Sequence, residues 1–213
     1  MKQNLVYCYD AYCGWCYGFR PVMQQVAAQY ADRFYITVLS GGMILPQKPM
    51  PVGVVAAHIR DAYKNVETAT GVAFGADYLW HIYHPEQSDW FPDSRKPAIA
   101  LSVIKTYFPD KALSFASDLQ YALHYEGRDL TDDEAYRHLL PAYGMTAGQF
   151  YRDLADPAFF KKAEEDFMLV QRLRVTGFPA VFIQGEGQKF YQVGNGYVPF
   201  EVLKERLDAV PEA

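Results

Sequence analysis

Two cysteines three positions apart carry the clearest chemical signal in the sequence. The segment Cys13-Gly14-Trp15-Cys16 follows the strand-like run LVYCY and opens a stretch whose apolar residues recur at helical spacing. A thiol in the first turn of a helix faces unpaired N–H groups and the positive end of the helix dipole, and both favour the thiolate. We therefore predict a thiol–disulfide exchange site. Cys13 is expected to be the exposed nucleophile, and Cys16, one turn further in, to resolve the mixed disulfide.

The same spacing also occurs in zinc sites, which need a second pair of ligands. The sequence has no second CxxC, and only Cys8 and five histidines could complete such a site. We therefore predict neither a metal nor an organic cofactor. Cys8 lies inside the first predicted strand, where a free cysteine usually acts as a small buried hydrophobe.

An acidic residue precedes the cysteine pair at the end of the first predicted strand. Asp10 lies three residues before Cys13, and two interpretations are open. It is a candidate proton acceptor for Cys16 during resolution, or it caps the loop, as aspartates at strand ends commonly do.

A second motif, TGFPA, precedes the third predicted strand. Pro179 would be the first residue of that strand, where a proline is tolerated and its missing N–H leaves an unpaired backbone edge. If this edge faces Cys13, an extended substrate can pair with the backbone of Phe178, and a cis bond would suit so tight an entry. We predict that Trp15, Phe178 and Pro179 bind substrate.

The elements around these motifs predict an α/β fold. Strand, helix and strand signals over residues 5–9, 13–31 and 34–39 form a βαβ unit with parallel strands. Two further strands and a helix close the chain over residues 180–210. The predicted architecture is a thioredoxin-like βαβ…ββα fold with a large helical insertion. Its discontinuous domain comprises residues 1–50 and 175–213, and the inserted helical subdomain, with its own core, comprises residues 51–174.

Capping signals place the helices of the insertion. Thr131 and Glu134 form a capping box that predicts a helix over residues 135–143, and Thr146 begins a similar pattern. Asp156 and the proline after it predict the start of another helix.

The composition excludes several classes of function. The chain has 213 residues, of which 50% are hydrophobic, and its net charge is −5. An acidic balance does not favour nucleic acid or an anionic membrane as partner. We find no stretch of about 18 apolar residues that could span a membrane and no secretory signal. We therefore expect a cytoplasmic protein, in which three cysteines are reduced, catalytic or metal-binding.

The two motifs together resemble the DsbA-like branch of the thioredoxin superfamily, and most closely its FrnE-like, predicted protein-disulfide-isomerase group. CGWC follows the first strand and GFPA precedes the third, with a helical block between them, so the resemblance covers essentially the whole chain. It implies a cis Pro179 beside the cysteine pair and a helical block that caps the active site. It also implies exchange with thiols or disulfides of proteins or small molecules, with glutathione or a thioredoxin-type protein as candidate electron partner. The sequence departs from the family at Gly14-Trp15 and at Tyr7, where thioredoxins keep a buried acid.

Two other functions are compatible with this architecture. The first is a glutathione-linked isomerase or transferase, which typically uses a single nucleophile, so that the intact Cys16 argues against it. The second is a non-catalytic, chaperone-like binder that uses an aromatic cleft.

Overall fold

A four-stranded sheet forms the centre of the fold. The computed structural model describes residues 2–211 of the chain. The sheet has the order β2-β1-β3-β4, with β1 parallel to β2 and antiparallel to β3, and with β4 antiparallel to β3. The parallel pairing predicted for the βαβ unit is therefore confirmed. The strands are β1 (Gln3–Tyr9), β2 (Phe34–Ser40), β3 (Ala180–Gln184) and β4 (Phe190–Asn195).

Eight α-helices surround the sheet within residues 2–211, and six of them lie between β2 and β3. Helix α1 follows β1 directly and runs through Pro21 without interruption, and α8 closes the chain. The helices are α1 (Gly14–Gln29), α2 (Gly53–Thr70), α3 (Ala76–Tyr83), α4 (Arg95–Tyr107), α5 (Ala112–His124), α6 (Ala147–Leu154), α7 (Pro157–Arg172) and α8 (Phe200–Ala209).

Side-chain alternation along β1 divides the interior into two faces. Leu5 and Tyr7 point into the large cluster that α1 covers, whereas Val6 and Cys8 belong to a smaller cluster with Val170 of α7. The large cluster also contains buried side chains of α4 and α5. The core is therefore continuous from the sheet into the inserted block, which does not have the separate core that we predicted. The residue boundaries of the two domains stay a prediction.

A partly buried ion pair connects the inserted block to the end of β2. The ammonium of Lys105 on α4 lies 2.8 Å from both carboxylate oxygens of Asp166 on α7, and it also donates to the carbonyl of Val38. Asp166 in turn accepts the N–H of Ser40 at 3.1 Å. Burial raises the pKa of Asp166, an effect that Lys105 opposes. This network fixes α4 and α7 against the strand that ends beside the site.

The structure confirms two predicted helix starts and contradicts a third. Thr146 accepts the N–H of Gln149, and Asp156 accepts the N–H of Ala158, so α6 and α7 begin as predicted. The helix predicted over residues 135–143 is instead two short 3₁₀ helices, over residues 133–136 and 140–143.

The physical reason lies in the local hydrogen bonds. The hydroxyl of Thr131 is bonded to the carboxylate of Asp129, and Asp132 caps the first 3₁₀ turn in its place. Pro141 stands at the start of the second 3₁₀ helix, where it cannot continue an α-helical ladder from the first. Helix α3 was not predicted, because its eight residues make only about two turns, too few for a helical period to stand out in the sequence.

Candidate active site

The first cysteine of the pair caps helix α1. Cys13 has extended backbone dihedrals, and its sulfur accepts the backbone N–H of Cys16 at 3.2 Å. Its own N–H donates to the carbonyl of Asp10 at 3.1 Å, and its carbonyl accepts the N–H of Tyr17 at 3.0 Å. A backbone donor aimed at the sulfur stabilises a negative charge there. The arrangement suits a nucleophilic thiolate.

The proline motif lies directly against this cysteine. The Cys13 thiol donates to the carbonyl oxygen of Phe178 at 3.6 Å, and the peptide bond between Phe178 and Pro179 is cis. The carbonyl of Pro179 accepts the N–H of Gly196 at 2.8 Å, which holds the segment at the start of β3. The two motifs, 165 positions apart in sequence, therefore meet at one place in the fold.

Both thiols are shielded from bulk solvent. Cys13 is 6% exposed and Cys16 is fully buried, so the prediction of an exposed Cys13 is wrong, although Cys16 is indeed the more shielded of the two. Phe178, whose carbonyl contacts the Cys13 thiol, lines the same cavity as Cys13 and side chains of α2. Burial raises the pKa of Cys16 well above its usual value, and the neighbouring Cys13 raises it further.

The third cysteine lies on the opposite face of β1. Cys8 is fully buried in the smaller cluster with Leu39 and Ala180, and burial raises its pKa from 9.0 to about 12. All three cysteines are free thiols in this structure. Cys8 matches the predicted small hydrophobe and does not reach the site.

Asp10 is buried and organises the loop after β2. One carboxylate oxygen accepts the N–H of Tyr12 at 3.0 Å and the hydroxyl of Ser94 at 3.0 Å, and the other accepts the N–H of Met43 at 2.7 Å. Burial raises the pKa of Asp10, and these three hydrogen bonds oppose that rise. Its geometry is that of the loop-capping interpretation, and its role as proton acceptor stays a prediction.

Two buried side chains near the pair were not predicted as site residues. The hydroxyl of Tyr7 has no hydrogen-bond partner among the described residues. Burial raises the pKa of this tyrosine, and the nearby thiols of Cys16 and Cys13 raise it further. His124, on α5, stacks on Tyr17 with ring centroids 4.9 Å apart. The sequence singled out Tyr7 only as the position where thioredoxins keep a buried acid, and no spacing pattern pointed to His124.

His124 is held as a neutral imidazole. Its Nδ1 lies 3.0 Å from the carbonyl of Gln120, and its Nε2 has no hydrogen-bond partner within the described residues. Burial lowers the pKa of His124 to about 4, and the positive charge of Arg20 contributes to this shift.

An apolar cavity of about 480 Å³ opens beside Cys13. Trp15 lines it from within the cysteine motif, and residues 176–178 line it from the proline motif. Helix α2 supplies one wall, and a group of aromatic side chains, Phe74, Tyr78 and Trp90, supplies another. The cavity therefore places an uncharged space next to the reactive sulfur.

Neither a metal-binding cluster nor a membrane-spanning helix is present in the described part of the chain. Residues 2–211 contain no group of three or more histidine, cysteine or acidic side chains that could hold a metal ion. None of the described helices is long and apolar enough to cross a membrane.

Comparison with known proteins places this geometry in a family. The family described as "DSBA-like thioredoxin domain" matches residues 5–208. A curated relative, the ClpXP adapter protein SpxH of Shouchella clausii, is 18% identical over 200 residues, which are 93% of this chain and 64% of that protein. The chain thus spans less than two thirds of that relative's length.

Two solved structures share the fold. A candidate protein disulfide isomerase from Nitrosomonas europaea has a TM-score of 0.81 and 22% identity, and the match covers 98% of this chain and 97% of that one. The cytosolic disulfide reductase DsbM from Pseudomonas aeruginosa has a TM-score of 0.74 and 22% identity, over 96% and 94% of the chains. A structure of DsbM with glutathione matches with a TM-score of 0.70 and 23% identity, over the same shares. Because the family match covers nearly the whole chain, the protein belongs to the DsbA-like thioredoxin family.

Proposed function

We propose that the protein is a dithiol oxidoreductase or isomerase in which Cys13 attacks a substrate disulfide and Cys16 resolves the mixed disulfide. The observation that carries this proposal is the pair of contacts at one sulfur. The N–H of Cys16 points at Cys13 Sγ from 3.2 Å, and the carbonyl of Phe178 lies 3.6 Å away on the proline motif.

The chemistry balances within the protein and its substrate. The Cys13 thiolate attacks one sulfur of the disulfide, and the other sulfur leaves as a thiol after it takes up a proton. Cys16 then loses its proton and attacks Cys13 Sγ, which releases the second substrate thiol and leaves a Cys13–Cys16 disulfide. Two electrons pass to the substrate, and the reverse sequence oxidises a dithiol.

The burial of Cys16 supports this order of events. Its raised pKa keeps Cys16 a thiol, so that it does not compete with Cys13 as the attacking group before the mixed disulfide has formed. Asp10 is a candidate acceptor for the Cys16 proton, because burial raises its own pKa as well. Its three hydrogen bonds stabilise the charged carboxylate and therefore oppose this transfer.

The segment before β3 is the proposed substrate edge. Phe178 and Pro179 would hold an extended chain beside the attacking sulfur, as in strand addition. Trp15, whose ring centroid lies 6.1 Å from that of Tyr197, would contact the substrate from the helix side.

The electron partner and the compartment are parts of the same proposal. Glutathione or a thioredoxin-type protein would exchange with the pair, a suggestion that the glutathione complex of DsbM supports. We place the reaction in the cytoplasm, as for DsbM.

Reaction with a simple disulfide tests the function. We expect the reduced protein to release 2-mercaptoethanol from bis(2-hydroxyethyl) disulfide. The Cys13→Ser variant should not do so, and Cys8→Ser should react like the wild type. Equilibration with defined ratios of reduced and oxidised glutathione would then give the potential of the pair, and with it the favoured direction.

The same variants separate the alternatives. Glutathione-dependent turnover that survives in Cys16→Ser would favour a glutathione-linked isomerase or transferase. Suppression of aggregation by Cys13→Ser, without any thiol exchange in the wild type, would favour a non-catalytic binder. Either result would overturn the dithiol mechanism.

A further inference from the structure

The cavity beside Cys13 has a wall built almost entirely from apolar and aromatic side chains. Helix α2 contributes Val55, Ile59 and Val66 to one side, and Phe178 closes the side nearest the sulfur. Among the described residues that line the cavity there is no aspartate, glutamate, lysine or arginine, and the one imidazole is that of His58. An ionic group that entered this space would lose its hydration and find no partner of opposite charge there.

The aromatic part of the wall is a packed cluster. The ring centroid of Phe74 lies 5.8 Å from that of Tyr63 in an edge-to-face arrangement, and 5.6 Å from that of Tyr78. The centroid of Trp90 lies 6.1 Å from that of Tyr78. Such clusters present ring edges and faces to a further aromatic group at the distances that aromatic pairs prefer, roughly 4.5–7 Å.

The volume suits more than one small side chain. Cavities that bind small molecules usually measure roughly 300–1,000 Å³, and this one measures about 480 Å³. Cys13 is itself part of the lining. A substrate group that occupies the cavity would therefore be joined by only a few atoms to the substrate sulfur that Cys13 attacks.

We infer that the site prefers disulfides in which the attacked sulfur carries a bulky, uncharged aromatic arm over disulfides of glutathione, and that glutathione as an electron partner would exchange with Cys13 without occupying the cavity. This inference rests on the proposed function. Glutathione brings two carboxylates and one ammonium, and burial of unpaired charges is strongly unfavourable. In the exchange, Cys13 forms a disulfide with the arm-bearing sulfur and the other half leaves as a thiol. Cys16 then displaces the arm-bearing thiol, so the dithiol supplies both electrons and both protons.

Three disulfides test the preference in the wild-type protein. They are 2-naphthylmethyl 2-hydroxyethyl disulfide, bis(2-hydroxyethyl) disulfide and oxidised glutathione. For each disulfide, the rate of reaction with the protein is divided by the rate of its reaction with free dithiothreitol. We expect the naphthylmethyl compound to react at least 10-fold faster than the hydroxyethyl compound on this scale. Oxidised glutathione should show no advantage over the hydroxyethyl compound. A faster normalised reaction with oxidised glutathione would overturn the inference.

A matched pair of variants on α2 locates the arm. Ala62 is half-buried and lines the cavity, whereas Ala57 on the same helix is exposed and does not. Ala62→Phe should remove the preference for the naphthylmethyl compound, so that its normalised rate falls to that of bis(2-hydroxyethyl) disulfide. Ala57→Phe should change neither rate. An equal slowing of both compounds by Ala62→Phe would contradict the assignment of the cavity to the arm.

Binding of a probe to the cavity can be measured without disulfide exchange, so it tests the cavity separately from the proposed function. The Cys13→Ser variant should bind the neutral fluorophore N-phenyl-1-naphthylamine. The additional change Ala62→Phe should weaken this binding at least 10-fold, and millimolar reduced glutathione should not displace the probe. If no disulfide reacts but the probe binds in this way, the proposed function fails and the apolar site stands. If the disulfides react but the probe does not bind, the apolar site fails and the function stands.

Discussion

Phe178 lies so close to Gly41 that a side chain at position 41 would collide with its ring. A methyl group built on Gly41 would be 2.2 Å from Cζ of Phe178, well inside any tolerable contact. The N–H of Gly41 donates to the carbonyl of Tyr9 at 2.7 Å, so the backbone there is fixed to the end of β1. Because position 41 has no side chain, the ring of Phe178 can lie against it, and the carbonyl of Phe178 can contact Cys13.

We predict that Gly41→Ala displaces Phe178 and slows exchange. The rigid ring has to move because the backbone of position 41 is held. Overpacking of this kind typically costs about 1–3 kcal/mol of unfolding free energy. A shift of the Phe178 carbonyl from Cys13 should slow the reaction with bis(2-hydroxyethyl) disulfide about 10-fold, since small displacements at a reacting centre have large effects on rate. Stopped-flow kinetics and chemical denaturation measure the two effects.

Gly148→Ala provides the control. A methyl group at that position on α6 meets no atom within 4 Å. Replacement of a helical glycine by alanine should stabilise the fold by about 0.5–1 kcal/mol and leave exchange unchanged. An unchanged rate in Gly41→Ala would show that the contact with Gly41 does not position the site.

The three thiols should react with iodoacetamide in the order Cys13 first, then Cys16 and Cys8. Cys13 is the least shielded of the three. Burial raises the pKa of Cys8 from 9.0 to about 12. This shift alone reduces the thiolate fraction of Cys8 about 1,000-fold at neutral pH. Its alkylation should slow accordingly, because only the thiolate reacts. Mass spectrometry of the reduced protein after brief alkylation at pH 7 would give the order.

Trapping of mixed disulfides tests the same assignment of roles. Cys16→Ser should accumulate adducts on Cys13 in a cell lysate, whereas Cys13→Ser should accumulate none. The Cys8→Ser variant, with the pair intact, serves as the control and should resemble the wild type. Equal adduct levels in Cys13→Ser and Cys16→Ser on non-reducing gels would contradict an ordered attack by Cys13.

The motifs, the strand order in the chain and several helix starts could be predicted from sequence because their signals are local. CGWC at a strand–helix junction and the caps Thr146 and Asp156 depend on residues within one turn of each other. The cis bond before Pro179 was expected from the motif and from the family resemblance.

The surroundings of the site could not be predicted, because distant segments build them. Ser94 has the position of a helix cap, yet its hydroxyl donates to Asp10, 84 positions earlier. Cys13, Phe178 and side chains of α2 line one cavity, and no local pattern specifies that they come together. The orphan hydroxyl of Tyr7 is likewise a product of packing, because alternation along β1 predicts only that it points inward.

We predict that His124 makes the protein less stable as the pH falls from about 6.5 to 4. In the folded state burial lowers the pKa of His124 to about 4, whereas its ordinary value is 6.5. Between these values the unfolded chain binds a proton that the folded chain does not, so stability decreases as the pH falls. The difference of 2.5 units between the two pKa values corresponds to a loss of about 3 kcal/mol of unfolding free energy once His124 is fully protonated. Urea denaturation at intervals from pH 7 to pH 4 measures this slope.

The variant His124→Phe should flatten that slope. Phenylalanine keeps an aromatic ring against Tyr17, which lies 4.9 Å away between centroids, but has no nitrogen to protonate. A parallel His58→Phe variant controls for the loss of a histidine on the exposed part of α2. A slope that persists unchanged in His124→Phe would assign the acid sensitivity to other groups, such as carboxylates.

The final prediction compares two buried tyrosine hydroxyls. Tyr136 donates to the carbonyl of Leu130 at 2.6 Å, whereas the hydroxyl of Tyr7 has no partner among the described residues. A buried hydroxyl without a partner destabilises the fold by about 1–3 kcal/mol, and a bonded one typically contributes about 1 kcal/mol. Tyr7→Phe should therefore raise the free energy of unfolding by about 1 kcal/mol or more, and Tyr136→Phe should lower it by about 1 kcal/mol. Chemical denaturation of the two variants beside the wild type measures both changes. A loss of stability in Tyr7→Phe would mean that its hydroxyl makes a hydrogen bond in solution, at a place where the thiols of Cys16 and Cys13 are its ionisable neighbours.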